Sequence, residues 1–239
     1  MTPSEASQDL TRKGGIALIL GGLLNILRAI PIAMSDGVTA DNFPPHTVAD
    51  IMLFSQFAVW RGSHMVALIA AILLIFGVSA LTKAATVRGQ AAPALMTQVA
   101  LSFSMVLFMV AFTSDGLVLS FTVEKLQSLG PDVVASSHAL IEYIHIVALS
   151  FAGVSAAVML GASIFLGITL IRAFDARRLG GFGIGLGAIS MLGYITGILS
   201  LNFTKTIQFV GPLAMLMFLY LALIGVQMLR GKLFAASAT

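Results

Sequence analysis

The sequence predicts an all-α membrane protein: a single bundle of six transmembrane helices, with both termini in the cytoplasm. Three observations predict it. The first is composition. Of 239 residues, 58% are hydrophobic and 10% are charged, with a mean hydropathy of +1.01. A water-soluble domain carries about 25% charged residues, so lipid is the natural solvent for this chain. The second is length. Six apolar stretches reach the ~20 residues that cross a bilayer core, at about 14–34, 62–82, 93–118, 139–171, 180–201 and 207–229. The third is the placement of charge. Arg12 and Lys13, Lys83 and Arg88, Arg172 with Arg177 and Arg178, and Arg230 with Lys232 all fall on one side of that layout. The opposite side carries Lys125, Lys205 and Arg61 among Asp36, Asp41, Asp50, Glu124 and Asp132. The positive-inside rule places the first side in the cytoplasm.

Each element follows in order. The first span is expected not to be a cleaved leader: Glu5 and Asp9 precede it, its apolar run is longer than a leader's, and Arg28 interrupts it. The outer loop 35–61 is long, with a turn expected at Asn42-Phe43-Pro44-Pro45. Ile51 to Trp60 (IMLFSQFAVW) is expected to lie along the outer leaflet, with Trp60 at headgroup level. The second and third spans follow. Residues 124–137 are more polar and end in Ser136-Ser137, expected caps for the fourth helix. That helix is too long for a straight crossing, so its first turns protrude or it tilts. Gly153, Ala157 and Gly161 on the fourth span, and Gly181, Gly185 and then Gly193, Gly197 on the fifth, form small-residue ridges of the kind that let helices approach. The dense Gly181–Gly187 run also suggests a flexible entry to the fifth span. Residues 1–239 read as one domain, without repeats or a soluble module.

Composition also excludes classes. The net charge of +3 comes without a basic stripe, so nucleic acid is not a partner. Cysteine is absent, which removes disulfides, thiolate metal sites and cysteine nucleophiles. No G-x-S-x-G occurs.

The informative residues are polar and share one depth. His138, Glu142 and His145 open the fourth span within an arc of roughly 60° at ~100° per residue. Arg28 with Asn25 on the first span, Arg61 and His64 on the second, and Ser114 and Asp115 on the third reach the same outer third. Ionisable groups in a span need partners. The inner halves hold few comparable residues, chiefly Gln98 and Gln227. The leading expectation is an outward-facing pocket. Its ligand- or metal-binding candidates are His64, His138, Glu142 and His145, and Arg28, Asp115 and Arg61 are supporting ion-pair residues. Four chemistries stay open. Imidazoles with a carboxylate suit a transition metal, although Glu142-Tyr-Ile-His145 is a single E-x-x-H and neither a H-E-x-x-H nor a di-iron pair. His64 with His138 or His145 suits one haem. A titratable network suits a small-molecule pocket or a small transporter, although the bare inner half argues against a through-path. Buried salt bridges that only lock helices suit an accessory subunit docking on a membrane-protein partner. Whether the chain is an enzyme stays open, since a metal beside a carboxylate activates water.

The layout carries a resemblance. A basic N-terminus leads into a Gly-rich first span (GGIALILGGLL), then a long outer loop and two pairs of spans. An arginine-bearing loop runs straight into a Gly-rich fifth span (RRLGGFGIGLGAISMLGY), and the last span ends in Arg-Gly-Lys. This order resembles the small six-span bacterial membrane proteins grouped as a domain of unknown function. The resemblance implies a multi-pass protein of the bacterial cytoplasmic (inner) membrane, in contact with the lipid bilayer. It carries over no catalytic residue and no cofactor.

Overall fold

A computed structural model describes residues 3–39, 45, 47–199, 203–231 and 233, with side chains from residue 8 and outside 198–210. The described residues are helical, with no strand among them. Six helical stretches are long and apolar enough to cross a membrane: Gln8–Ala33, Ala58–Val87, Ala91–Leu129, His138–Phe174, Arg177–Gly197 and Gly211–Leu229. They match the six expected stretches in order. Asn42, Phe43, Pro44 and His46, and the side chain of Lys205, lie outside the described residues.

Helix α1 (Pro3–Leu27) stops at Arg28 and a short α2 (Ala29–Ala33) continues the stretch. Pro31 explains the break: it has no N–H for the carbonyl of Leu27, and its ring crowds that carbonyl. The long loop is not uniformly irregular. Helix α3 (Val48–Ser55) starts at a capping box, in which Thr47 Oγ1 accepts from the Asp50 N–H at 3.2 Å and Asp50 Oδ2 accepts from the Thr47 N–H at 3.0 Å. Helix α4 (Ala58–Val87) begins four residues before the expected span. This corrects the expectation for Ile51–Trp60. Phe57 breaks the segment, and Trp60 is a buried residue of α4, stacked with Phe54 at 5.5 Å between ring centroids.

Helix α5 (Ala91–Thr113) runs into one π turn (Ser114–Val118), and α6 (Leu119–Leu129) continues it. Gly130, at φ 110°, ends α6, and Pro131 occupies the first position of α7 (Pro131–Ser136). Helix α8 (His138–Phe174) is the long fourth span. Ser137 holds its N-cap position, but no side-chain capping bond is made there. Helices α9 (Arg177–Leu199) and α10 (Phe203–Leu229) complete the bundle.

Around the bundle, α1 packs on α4 and α10, α4 on α5, α5 on α8 and α8 on α9, while α10 also touches α8 and α9. Leu18, Leu74, Leu101, Met105, Leu166 and Phe218 lie in its core. Large apolar side chains such as Ile72, Phe103 and Leu192 face outward, as a lipid-facing surface requires. The glycine ridges differ from expectation. Gly181, Gly185 and Gly153 have nothing near their Cβ positions. The packing glycines of α9 include Gly180, against Gly167 of α8, Gly183, against Tyr220 of α10, and Gly187, against Leu160 and Ile164 of α8, while Gly161 of the expected α8 ridge meets Met191 of α9. The Gly181–Gly187 run is continuous helix.

We call the end with Trp60, Asp115 and His145 distal, and the end with Arg88 and Ala173 proximal. At the proximal end Arg88 Nη1 donates to the Ala173 carbonyl at 3.0 Å and the guanidinium lies 4.9 Å from the Phe174 ring centre. A cation there complements the C-terminal end of α8. Partial desolvation lowers the Arg88 pKa below the ordinary arginine value.

Candidate functional site

The distal site is built around Asp115. The π turn places this residue on α5's continuation, between α4 and α8, with its carboxylate largely enclosed. Oδ1 lies 2.9 Å from His145 Nδ1 of α8. Oδ2 lies 3.3 Å from His64 Nε2 of α4. His64 and His145 are both buried. His64 Nδ1 is 2.8 Å from the Trp60 carbonyl. The Trp60 indole N–H donates at 3.3 Å to the carbonyl of Asp115. The Trp60 and His64 rings are 4.5 Å apart, and His64 and Phe112 are 5.0 Å apart. Three helices thus meet through one carboxylate.

Hydrogen-bond chemistry fixes the protons. A carbonyl only accepts, so His64 carries its proton on Nδ1. The Nε2–Oδ2 contact is then attractive only with one more proton between its atoms. Either His64 is an imidazolium beside a carboxylate, or Asp115 is a neutral acid donating to a neutral imidazole. His145 donates from Nδ1 in both states. The His64 Nε2–Asp115 Oδ2 contact thus calls for one proton, on either partner.

Gly116 makes this approach fit. A Cβ at position 116 would overlap the Cβ and ring of His64. Beside the pair lies a cavity of about 100 Å³, walled by Ala111, Ala148, Leu149 and Ala152 with Phe112, His64 and Asp115. Three alanines leave the space, and the carboxylate and imidazole give it a polar side. It suits a few waters or a small polar molecule; it is too small for a haem.

The structure brings together only part of the expected set. His64, Asp115 and His145 meet. His138 and Glu142 do not join them: both are exposed. The reason lies in the buried stripe of α8, which runs Ile141, His145, Ala148 and Ser155. Glu142 falls about 60° off that stripe. His138 is on the stripe, but roughly 10 Å beyond His145 along the axis, where it lines a shallow depression with Gln127, Pro131 and Val134. Arg61 is also elsewhere: it pairs with the exposed Glu124 of α6 at 3.3 Å and sits 5.7 Å from the Phe121 ring centre. Arg28 lies over Phe112 at 4.2 Å and makes no hydrogen bond or ion pair among the described residues.

A four-ligand metal set of His64, His138, Glu142 and His145 is therefore not assembled. No group of three His, Asp or Glu side chains among the described residues is arranged to hold a metal ion. The ring nitrogens of His64 are turned to a carbonyl and a carboxylate, which leaves neither for an iron.

Set against family models, curated proteins and solved structures, the chain matches none of them. The site stands on its own geometry. Sequence reasoning placed Trp60 in the interface and overlooked Phe112, Gly116 and the π turn. The one available signal was Asp115-Gly116 inside an apolar run, a carboxylate followed by the residue that admits the closest neighbour.

Proposed function

We propose that this chain is a multi-pass protein of a bacterial cytoplasmic membrane, with both termini inside. In this reading its outward-facing pocket takes a small polar ligand under control of the proton shared by His64 and Asp115. The one-sided basic residues support the orientation. The observation that carries the reading is Asp115 held between two buried histidines from two other helices, beside a cavity that all but His145 line. Adding or removing one proton changes the charge at that wall, and a π turn at the same residue is a common mark of functional sites. Intramembrane ionisable groups of this kind belong to proton relays and ligand counter-ions.

A second reading has an observation of its own. Both carboxylate oxygens of Asp115 find partners within the network, as a helix lock in an accessory subunit requires. The chain's single tryptophan separates the two readings. Trp60 touches both members of the proton pair, and an imidazolium quenches indole more strongly than a neutral ring. Emission of the detergent-purified protein, scanned from about pH 4 to about pH 9, should change reversibly at constant helicity and particle size. His64→Gln should flatten the step. A flat profile in the folded wild-type protein would leave the helix lock as the surviving reading.

A further inference from the structure

Among the described residues the Arg28 guanidinium has no anion in contact with it. It sits at the break between α1 and α2, inside the apolar stretch Gln8–Ala33. Its Nε is buried and has no acceptor, and the side chain makes no ion pair among the described residues. What it has is aromatic: the Phe112 ring centre at 4.2 Å and that of Phe108 at 5.9 Å. Cation–π contact offsets only part of the cost of a charge in an apolar setting. Asp115 favours the Arg28 charge through space, but its two carboxylate oxygens contact His64 and His145 rather than the guanidinium.

A second orphan lies one turn away. Asn25 is fully buried, three residues before Arg28 and hence on a neighbouring part of the same helix face. Its Nδ2 donates to the Gly21 carbonyl at 3.3 Å, but its Oδ1 has no donor. Buried polar atoms are normally paired, and those that are not call for an explanation. Here a buried unpaired donor, Arg28 Nε, and a buried unpaired acceptor, Asn25 Oδ1, lie three residues apart where α1 ends, and the Arg28 guanidinium lies over the same Phe112 that walls the Asp115 cavity.

We propose that Arg28 and Asn25 form a receptor for an oxyanion, a carboxylate or phosphate, on a molecule whose neighbouring hydroxyl donates to Asn25 Oδ1. The planar guanidinium matches two oxyanion oxygens at once, a fit that a lysine ammonium lacks. The aromatic floor of Phe108 and Phe112 suits the apolar part of such a molecule. The same chemistry is offered by a free hydroxy acid and by a glycerol-phosphate lipid headgroup. The assignment does not rest on the proton reading of Asp115, because Arg28 is bonded to no member of that pair.

The test uses the full chain in phosphatidylcholine nanodiscs, titrated with potassium lactate by calorimetry. In parallel, native mass spectrometry follows the retention of phosphatidylglycerol from mixed vesicles. Saturable binding of lactate identifies a free acid, and retention of one phosphatidylglycerol per chain identifies a lipid; either supports the site. Arg28→Gln should abolish the binding, and Arg28→Lys should weaken it about tenfold or more through loss of the fork. Propionate, which lacks the hydroxyl, should bind more weakly than lactate, and Asn25→Ala should remove that difference. A folded wild-type protein that binds neither probe overturns the proposal, and so does binding that survives intact in Arg28→Gln. The Trp60 pH step is read on the same samples, so loss of oxyanion binding with the step retained sinks this site alone.

Discussion

Asp115 and Arg61 are both ionisable residues of the distal end, and they differ in what their removal leaves behind. Truncating the Asp115 side chain strands two buried histidines. Arg61 and Glu124 are 35% and 63% exposed and fall back into water. Asp115→Ala should therefore lower unfolding stability by about 3–5 kcal/mol, and Arg61→Ala by less than about 1 kcal/mol. Thermal or denaturant unfolding in one detergent compares them, and equal losses would show that the Asp115 network is not the distal keystone. The sequence made the right histidines visible through their shared depth, but not their ranking. Glu142 looked as strong as His145. The 60° between them decides which one meets α5, and that angle only acquires meaning once the neighbour's position is known.

Among the elements, the α5–α8 interface carries most of the specificity. It is a ladder of polar rungs. Thr97 and Thr169 hydroxyls lie 3.1 Å apart, Ser104 and Ser155 each donate to the other's carbonyl at 2.8 and 2.9 Å, and Asp115 meets His145 at 2.9 Å. Hydroxyls of this kind hold membrane helices together at modest energy and fix their register. The π turn is where this ladder passes to α4. Gly116→Ala puts a methyl group into the His64 ring and should destabilise by about 1–3 kcal/mol. It should also alter the Trp60 emission, because His64 must move; unchanged stability and emission would mean that the helices part easily there. The hydroxyl rungs and the π turn were not legible beforehand. Hydropathy reads Ser104 or Thr97 as neutral interruptions of an apolar run, and a π turn has no local sequence rule. The glycines show the same limit: their number announced close packing, but only the partner helix selects Gly180 and Gly183 over Gly181 and Gly185.

The whole molecule is where the sequence was most explicit. Length and apolarity of the stretches set the element count, because a continuous apolar stretch of ~20 residues satisfies its own backbone in lipid as a helix. The same logic does not describe the connections. The loop 35–61 turned out to contain α3 and the start of α4, since Trp60 and Phe54 have each other to bury against. The proposed orientation predicts which surfaces a membrane-impermeant thiol reagent reaches. The chain has no cysteine of its own. In intact cells Ser128→Cys, in the α6–α7 region, should label, and Ala91→Cys, at the start of α5, should label only after permeabilisation. The reverse pattern would turn the pocket to the cytoplasm.

The Asp115 hub also has a consequence for biosynthesis. Its partners do not arrive together. His64 belongs to α4, which precedes α5 in the chain, whereas His145 comes 30 residues after Asp115. In the proposed membrane setting, the carboxylate that follows α5 therefore meets an imidazole synthesised before it, and the α4–α5 hairpin carries that pair while the ribosome completes α8. His145 closes the arrangement afterwards, as a latch on a hairpin already made.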